Sequence, residues 1–148
     1  MHKRSILKAL ALSTLALAAG QSLAQDSFKI GVLAPMTGPF ASTGKQMEAG
    51  IKLYLAQNGN TFGGKKVEVI LRDDTGTPDV TKRMAQEMVI NDKVNVLAGF
   101  GLTPLAFATA PVATQSKTPL VVMAAATSSI TEASPYIVRT SFTAAQVV

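Results

Sequence analysis

The chain has 148 residues, of which 47% are hydrophobic and only 5% aromatic, and it contains no tryptophan and no cysteine. This length and composition suit one domain or one lobe, and the lack of cysteine excludes a small fold held together by disulfides. The formal charge of +5 includes Lys3, Arg4 and Lys8, and without these three cations it falls to +2. No basic run with interleaved aromatic residues remains, so we predict no nucleic-acid binding.

The first 24 residues have the pattern of a secretory signal peptide. A positively charged start over residues 2–8 precedes the apolar run Ala9–Ala19, and Ser22-Leu23-Ala24 is a small-x-small cleavage site. The apolar run is shorter than the roughly 20 residues that span a bilayer, so cleavage is favoured over an uncleaved membrane anchor. We therefore expect a secreted mature chain that begins at Gln25.

Strands and helices alternate along the mature chain. Apolar runs bounded by turn residues predict strands, and apolar positions three and four residues apart predict helices. The predicted strands are Phe28–Ala34, Lys66–Arg72, Val94–Ala98, Leu120–Met123 and Tyr136–Arg139. The predicted helices are Gly44–Ala56, Asp79–Asn91 and Pro104–Gln115. This order predicts one doubly wound α/β unit with a mainly parallel sheet and helices on both faces.

All three helices carry specific signals at their N-termini, and for the second the signal is Thr77 as N-cap with Pro78 at the first helical position. Thr43 and Gln46 have the spacing of a capping box, which predicts Thr43 as the N-cap of the first helix. Thr103 is the predicted N-cap of the third helix, which Pro111 should kink or divide. The first helix is predicted to bury a stripe formed by Met47, Ile51 and Tyr54, with Leu55.

The groups that usually carry catalysis are scarce. The only histidine, His2, lies in the leader, and a serine or threonine nucleophile would therefore lack the usual imidazole partner. There is no nucleophile elbow, no Walker-type loop and no dinucleotide fingerprint. Asp73-Asp74 is an adjacent carboxylate pair, for which stabilisation of a turn is favoured over acid/base or metal chemistry. We predict no catalytic residue, cofactor or metal site, and an enzyme that uses groups outside this chain stays an alternative.

Two hydroxyl-bearing turns follow consecutive predicted strands, one at Thr103 and one at Thr127. The carboxyl ends of neighbouring parallel strands meet at one edge of a sheet, where open α/β folds bind ligands. The helix N-terminus at Thr103 favours a carboxylate, and the small residues 124–126 allow a ligand to approach the backbone. The carbonyls of Ala124 and Ala125 could accept from a ligand ammonium. Either threonine alone is explained by a cap or a small-residue loop, but the pair favours ligand binding.

The leader and four further segments together resemble the periplasmic branched-chain amino acid (Leu/Ile/Val) binding proteins, the type I substrate-binding proteins of ABC importers. The segments are FKIGVLAPMTGPFASTGKQMEAG, DDTGTPDV, GFGLTP and AAATSSIT. The resemblance covers essentially all of the mature chain. It implies a signal peptide over residues 1–24, an N-terminal ligand-binding lobe over residues 25–140, and the start of a crossover to a second lobe over residues 141–148.

The same resemblance implies a periplasmic protein that binds a small carboxylate or amino acid between two lobes and delivers it to an ABC permease in the inner membrane. It implies that Thr103 and Thr127 bind the ligand carboxylate, that the Ala125 carbonyl binds its ammonium, and that Thr43 and Leu102 face its side chain. Amino-acid binders commonly have serine at the first of these positions and often an aromatic residue in place of Thr43. Relatives also take aromatic acids, other carboxylates and amides, and a ligand-sensing receptor domain of the same fold is an alternative function.

Overall fold

The computed structural model describes residues 27–147, so the predicted signal peptide lies outside the described residues. Six strands form one sheet in the order β2-β3-β1-β4-β5-β6, and every pair is parallel except the β2–β3 hairpin. The strands are β1 (Phe28–Ala34), β2 (Thr61–Phe62), β3 (Lys65–Asp73), β4 (Val96–Gly99), β5 (Leu120–Val122) and β6 (Ile137–Arg139). The helices are α1 (Ala41–Asn58), α2 (Pro78–Glu87) and α3 (Thr103–Ser116). The predicted α/β architecture is confirmed.

The helices cover the two faces of the sheet unequally. The chain moves one way from β1 to β3 and the opposite way from β3 to β4, and right-handed crossovers then place α1 on one face and α2 and α3 on the other. The α2–α3 face holds the larger core, which includes Leu33, Met88, Leu97, Phe100, Leu105, Leu120 and Ile130. Among the described hydrophobic residues, the α1 face has a smaller buried cluster, formed by Val32, Ala34, Met47 and Ala98. None of the helices in residues 27–147 combines the length and apolar character of a membrane span.

Helix α1 begins earlier than the sequence predicts. Its first residue is Ala41, its N-cap position is Phe40, and no side chain caps it. Gly38 adopts a φ of 73°, and its carbonyl accepts from the Ala41 amide at 3.2 Å, so a tight turn runs directly into the helix. Thr43 therefore lies inside the first turn, and the prediction of Thr43 as the N-cap is wrong.

The predicted buried stripe of α1 is only partly correct. Met47 is buried and Ile51 is half-buried, but Tyr54 is 55% exposed. The Tyr54 ring stacks on Phe62 of β2, with 5.6 Å between ring centroids. Strand β2 was not predicted, because two residues are too few to produce a periodic pattern.

Helix α2, in contrast, is shorter than predicted, because the predicted helix continues beyond Glu87 as a π-helical turn over Met88–Asp92.

Helix α3 begins at Thr103, with Leu102 at the N-cap position and no side-chain cap. The Leu102 carbonyl accepts from the amides of Leu105 and Ala106, so the predicted N-cap role of Thr103 is wrong. The helix runs through Pro111 without division. Its buried side chains, most of them alanines, belong to the larger core, and this burial offsets the one helical hydrogen bond that proline removes.

Candidate functional site

The structure brings the two predicted hydroxyl turns together. Strands β4 and β5 are parallel neighbours in which Gly99 pairs with Val122, so the turns that follow them lie side by side. The hydroxyl oxygens of Thr103 and Thr127 are 2.8 Å apart and share a hydrogen bond. The adjacency predicted from strand order is therefore present at the carboxyl edge of the sheet.

The surroundings of this hydroxyl pair are rich in hydrogen-bond donors. Thr103 is the first residue of α3, where the backbone amides lack intrahelical acceptors and the helix carries a partial positive charge. Among residues 27–147, the amide of Thr127 has no hydrogen-bond acceptor either. Neither hydroxyl caps a helix, so both can turn toward an incoming group. Together these groups can bind a carboxylate.

The backbone under the pair is held in an unusual conformation. Gly99 has a φ of 113°, and a Cβ added there would lie 2.0 Å from the Leu33 carbonyl oxygen. The next residue, Phe100, has a φ of 61° although its ring is fully buried, which costs about 1–2 kcal/mol for a residue with a side chain. The Phe100 amide donates to Leu33 at 2.9 Å, and its carbonyl accepts from the Ala125 amide at 3.1 Å. These bonds lock the turn after β4 to the loop after β5.

The carbonyls of the loop after β5 are already engaged. The Arg139 guanidinium donates to the Ala125 carbonyl at 2.8 Å and, through its other terminal nitrogen, to the Thr127 carbonyl. The Ala144 amide donates to the Ala126 carbonyl between them at 2.8 Å. The Ala125 carbonyl, which was predicted to meet a ligand ammonium, thus already has a cationic partner. Sequence reasoning missed Arg139, although a lone cation at the end of an apolar strand on this edge was a visible signal.

Leu102 and Thr43 lie along the same edge. A Cβ added to Gly101 would lie 3.5 Å from the Thr43 methyl carbon, and one added to Gly76 would lie 3.8 Å from Leu102 and 4.0 Å from the Phe40 ring. Phe40 is 47% exposed, and sequence reasoning did not select it. The turns after β1, β3 and β4 therefore surround one apolar border beside the hydroxyl pair.

The carboxylates of Asp73 and Asp74 have different surroundings. Asp73 accepts from the amides of Met36 and Thr75, each at 2.9 Å, and from the Thr37 hydroxyl at 2.6 Å. Burial raises the pKa of Asp73, but these hydrogen bonds outweigh it and the pKa is lowered. The turn-stabilising interpretation is therefore confirmed for Asp73.

Asp74 is fully buried. One of its oxygens accepts from the Gly76 amide at 2.8 Å, and the other has no partner among the described residues. Burial raises the pKa of Asp74, and the neighbouring charge of Asp73 adds to the rise. In residues 27–147, no group of three or more acidic or histidine side chains could hold a metal ion.

An apolar groove of about 760 Å³ lies apart from the hydroxyl pair, between α1 and its face of the sheet. Its lining includes Ile30, Met47, Ile51, Phe62, Val67 and Met123, and none of the five predicted site residues. A groove with so few polar groups offers little to a carboxylate, because a buried charge needs hydrogen-bond partners. The donors that a carboxylate needs are found at the hydroxyl pair.

Comparisons with known proteins agree with this architecture. A family model described as "Periplasmic binding protein" matches residues 27–148. The curated Leu/Ile/Val-binding protein homolog 6 of Brucella abortus (strain 2308) is 48% identical over 142 residues, which are 95% of this chain and 36% of that protein.

Solved structures of solute-binding proteins give the same result. One from Rhodopseudomonas palustris BisB5, in complex with 3,4-dihydroxybenzoic acid, is 65% identical with a TM-score of 0.81, over 82% of this chain and 33% of that one. A leucine-binding protein from Thermotoga maritima is 27% identical with a TM-score of 0.73, over 78% and 33% of the two chains. The chain spans about a third of the length of these relatives. With its parallel sheet and its paired turns, the chain belongs to the periplasmic binding protein family, as its resemblance to the Leu/Ile/Val-binding proteins predicted.

Proposed function

We propose that residues 25–140 form the N-terminal lobe of a periplasmic solute-binding protein that binds a small carboxylate for an ABC importer and performs no catalytic step. The observation that carries this proposal is the pair of threonine hydroxyls 2.8 Å apart at the start of α3. In this proposal, residues 141–148 begin the crossover to a second lobe, and the loaded protein delivers its ligand to a permease in the inner membrane.

The ligand carboxylate would replace the contact between the two threonines. Each hydroxyl has a single proton, and one of the two protons is used in the contact between them, so both Thr103 and Thr127 can donate to the carboxylate only after that contact breaks. The Thr127 amide and the partial positive charge at the start of α3 add to the attraction. Leu102 and Thr43, which lie along the same edge, would contact the rest of the ligand.

The favoured ligand class is an aromatic carboxylate of the hydroxybenzoate type. The Rhodopseudomonas palustris protein with 65% identity was solved with 3,4-dihydroxybenzoic acid, and a second from that species, 48% identical, with 4-hydroxybenzoate. In addition, Arg139 engages the Ala125 carbonyl, so a ligand ammonium would have to share its acceptor with a guanidinium. A branched-chain amino acid is the second candidate, because the curated Brucella relative is named a Leu/Ile/Val-binding protein homolog.

A ligand panel on the full-length protein tests the proposal. Thermal-shift measurements followed by calorimetry would compare 4-hydroxybenzoate and 3,4-dihydroxybenzoate with leucine, isoleucine and 4-hydroxybenzamide. The amide is the matched control, because it keeps the ring and loses the carboxylate charge. We expect the benzoates to raise the melting temperature and the amide to have no effect. Equal binding of acid and amide, or no binding of any carboxylate, would refute the proposal.

A further inference from the structure

We propose that Phe40 is a specificity-determining residue, and that the aromatic ring of the ligand lies in a notch between Phe40 and Leu102, above Gly76. This inference rests on the proposed function, since it names where the ring of a benzoate lies once its carboxylate is bound at the hydroxyl pair. It adds Phe40 to the residues that contact the ligand, and it gives this lobe a means of preferring an aromatic acid to an aliphatic one.

The notch is the space that a side chain at Gly76 would fill. A Cβ built on Gly76 would lie 3.8 Å from Leu102 Cδ1 and 4.0 Å from Phe40 Cδ2, which are ordinary van der Waals distances. A carbon atom placed above Gly76 would thus contact both apolar side chains at once. Gly76 is half-buried and Phe40 is 47% exposed, so the notch is partly open to solvent.

The turns on the two sides of the notch are tied to one another. The Asp73 carboxylate accepts from the Met36 amide in the turn after β1 and from the Thr75 amide in the turn after β3. The Phe40 carbonyl accepts from the Thr43 amide at 3.0 Å, which fixes the backbone of Phe40 at the start of α1. The ring of Phe40 is therefore carried by a fixed backbone, and packing it on a ligand costs little conformational entropy.

The notch adjoins the hydroxyl pair through Leu102. In the sheet, β1 lies between β3 and β4, so the turns after β3 and β4 are two strand spacings apart, or about 10 Å. Leu102 directly precedes Thr103 in the turn after β4, and its side chain reaches toward Gly76 in the turn after β3. A hydroxybenzoate whose carboxylate lies one hydrogen bond from the pair extends over most of this distance.

The two flanks of the hydroxyl pair differ in polarity. Toward β6 stands the guanidinium of Arg139, which is bound to loop carbonyls. Toward β1 and β3, the border consists of Leu102, the Thr43 methyl group and the Phe40 ring. Apolar side chains remove the surface of a ligand ring from water, and a second ring adds an offset or edge-to-face contact. An aliphatic ligand gains the burial but not the aromatic contact, so Phe40 favours an aromatic acid.

The test measures the affinity of the full-length protein for 4-hydroxybenzoate by calorimetry. Phe40→Leu keeps an apolar side chain and removes the ring, so binding should weaken by about fivefold, the loss expected for one aromatic pair. Phe40→Tyr keeps the ring and should bind nearly as tightly as wild type. Gly76→Ala fills the notch with a methyl group and should weaken binding although Phe40 is present. It carries the test if the Phe40 variants do not fold.

Two control variants match these substitutions. Phe28→Leu removes a ring that is 38% exposed at the first residue of β1, at the opposite edge of the sheet, and should leave the affinity unchanged. Gly63→Ala adds a methyl group in open space at another glycine with a positive φ, of 57°, and should also leave the affinity unchanged.

The outcomes separate the inference from the proposed function. If either Phe40→Leu or Gly76→Ala binds 4-hydroxybenzoate as tightly as wild type, the inference is wrong while the proposed function stands. The same holds if Phe40→Tyr weakens binding as much as Phe40→Leu, or if wild-type protein binds leucine and no benzoate. If wild-type protein binds no carboxylate, the proposed function itself fails, and the inference fails with it.

Discussion

The hydroxyl pair makes a quantitative prediction about replacing Thr103 and Thr127 by valine, singly and together. In the free protein the two hydroxyls share one hydrogen bond at 2.8 Å, whose net value is about 1 kcal/mol. In the complex each donates to a charged oxygen, at about 2 kcal/mol each. A single variant loses one charged bond but no longer has to break the threonine–threonine bond, so binding weakens by about 1 kcal/mol, or roughly fivefold.

The double variant should lose more than the sum of the single variants. It loses both charged bonds and avoids breaking only one neutral bond, for a total of about 3 kcal/mol, or roughly 150-fold. The excess of about 1 kcal/mol over additivity is the coupling that the shared bond predicts. Calorimetry with 4-hydroxybenzoate on the full-length protein measures all four affinities, and Thr131→Val supplies a matched threonine-to-valine control at an exposed position of the same segment.

The pattern of the four affinities separates two arrangements. If only Thr103 touches the ligand and Thr127 merely supports it, Thr103→Val should account for the whole loss, and the double variant should be no worse. That outcome would refute the two-hydroxyl clamp. If the single variants bind 4-hydroxybenzoate as tightly as wild type and Thr131→Val do, the hydroxyl pair is not the carboxylate site.

Three further predictions concern the stability of the full-length protein, each measured by chemical denaturation. Gly99→Ala should destabilise the protein by more than about 4 kcal/mol, because the new Cβ would lie 2.0 Å from the Leu33 carbonyl oxygen. The control is Gly50→Ala, where the new Cβ meets open space and should stabilise the protein by about 0.5–1 kcal/mol. Similar losses in both variants would contradict this explanation. Asp73→Ala should lower the free energy of unfolding by about 2 kcal/mol near neutrality. This loss should vanish as the pH falls through the folded pKa of Asp73, which lies below 3.8. A loss that does not depend on pH would contradict the charge-based explanation. Asp74→Asn should have the opposite pH profile, because the raised pKa of Asp74 stabilises the wild-type fold below pH 3.8 and that contribution is lost as the pH rises through the folded pKa. The stability of the variant relative to wild type should therefore increase toward neutrality. A difference that stays constant with pH would contradict this.

The succession of the five parallel strands along the chain could be predicted from the sequence, because each is a short apolar run with a clear turn after it. Strand β1 was predicted to the residue, and the adjacency of Thr103 and Thr127 followed from the order of β4 and β5 alone. Helix starts were less predictable. The pattern around Thr43 matched a capping box, but the turn at Gly38 began the helix earlier, and a local motif cannot report a competing turn upstream.

The Arg139 cation was visible in the sequence, but its carbonyl partners could not be predicted, since they depend on contacts between separate segments of the chain. Nothing local to Ala125 indicates that Arg139, fourteen residues later, will bind its carbonyl. The Phe40 border beside Leu102 was missed for the same reason, because it forms only when the turns after three different strands meet at one edge.

The edge of the sheet that carries the hydroxyl pair is held in place by hydrogen bonds within the chain. The Phe100 carbonyl accepts from the Ala125 amide, the Leu33 carbonyl accepts from the Phe100 amide, and the Asp73 carboxylate accepts from the Met36 amide in the turn after β1. A site whose donors are already fixed loses little conformational entropy when a carboxylate arrives, so each hydrogen bond contributes nearly its full value to affinity. If the proposed clamp is correct, this edge would select a ligand by its carboxylate.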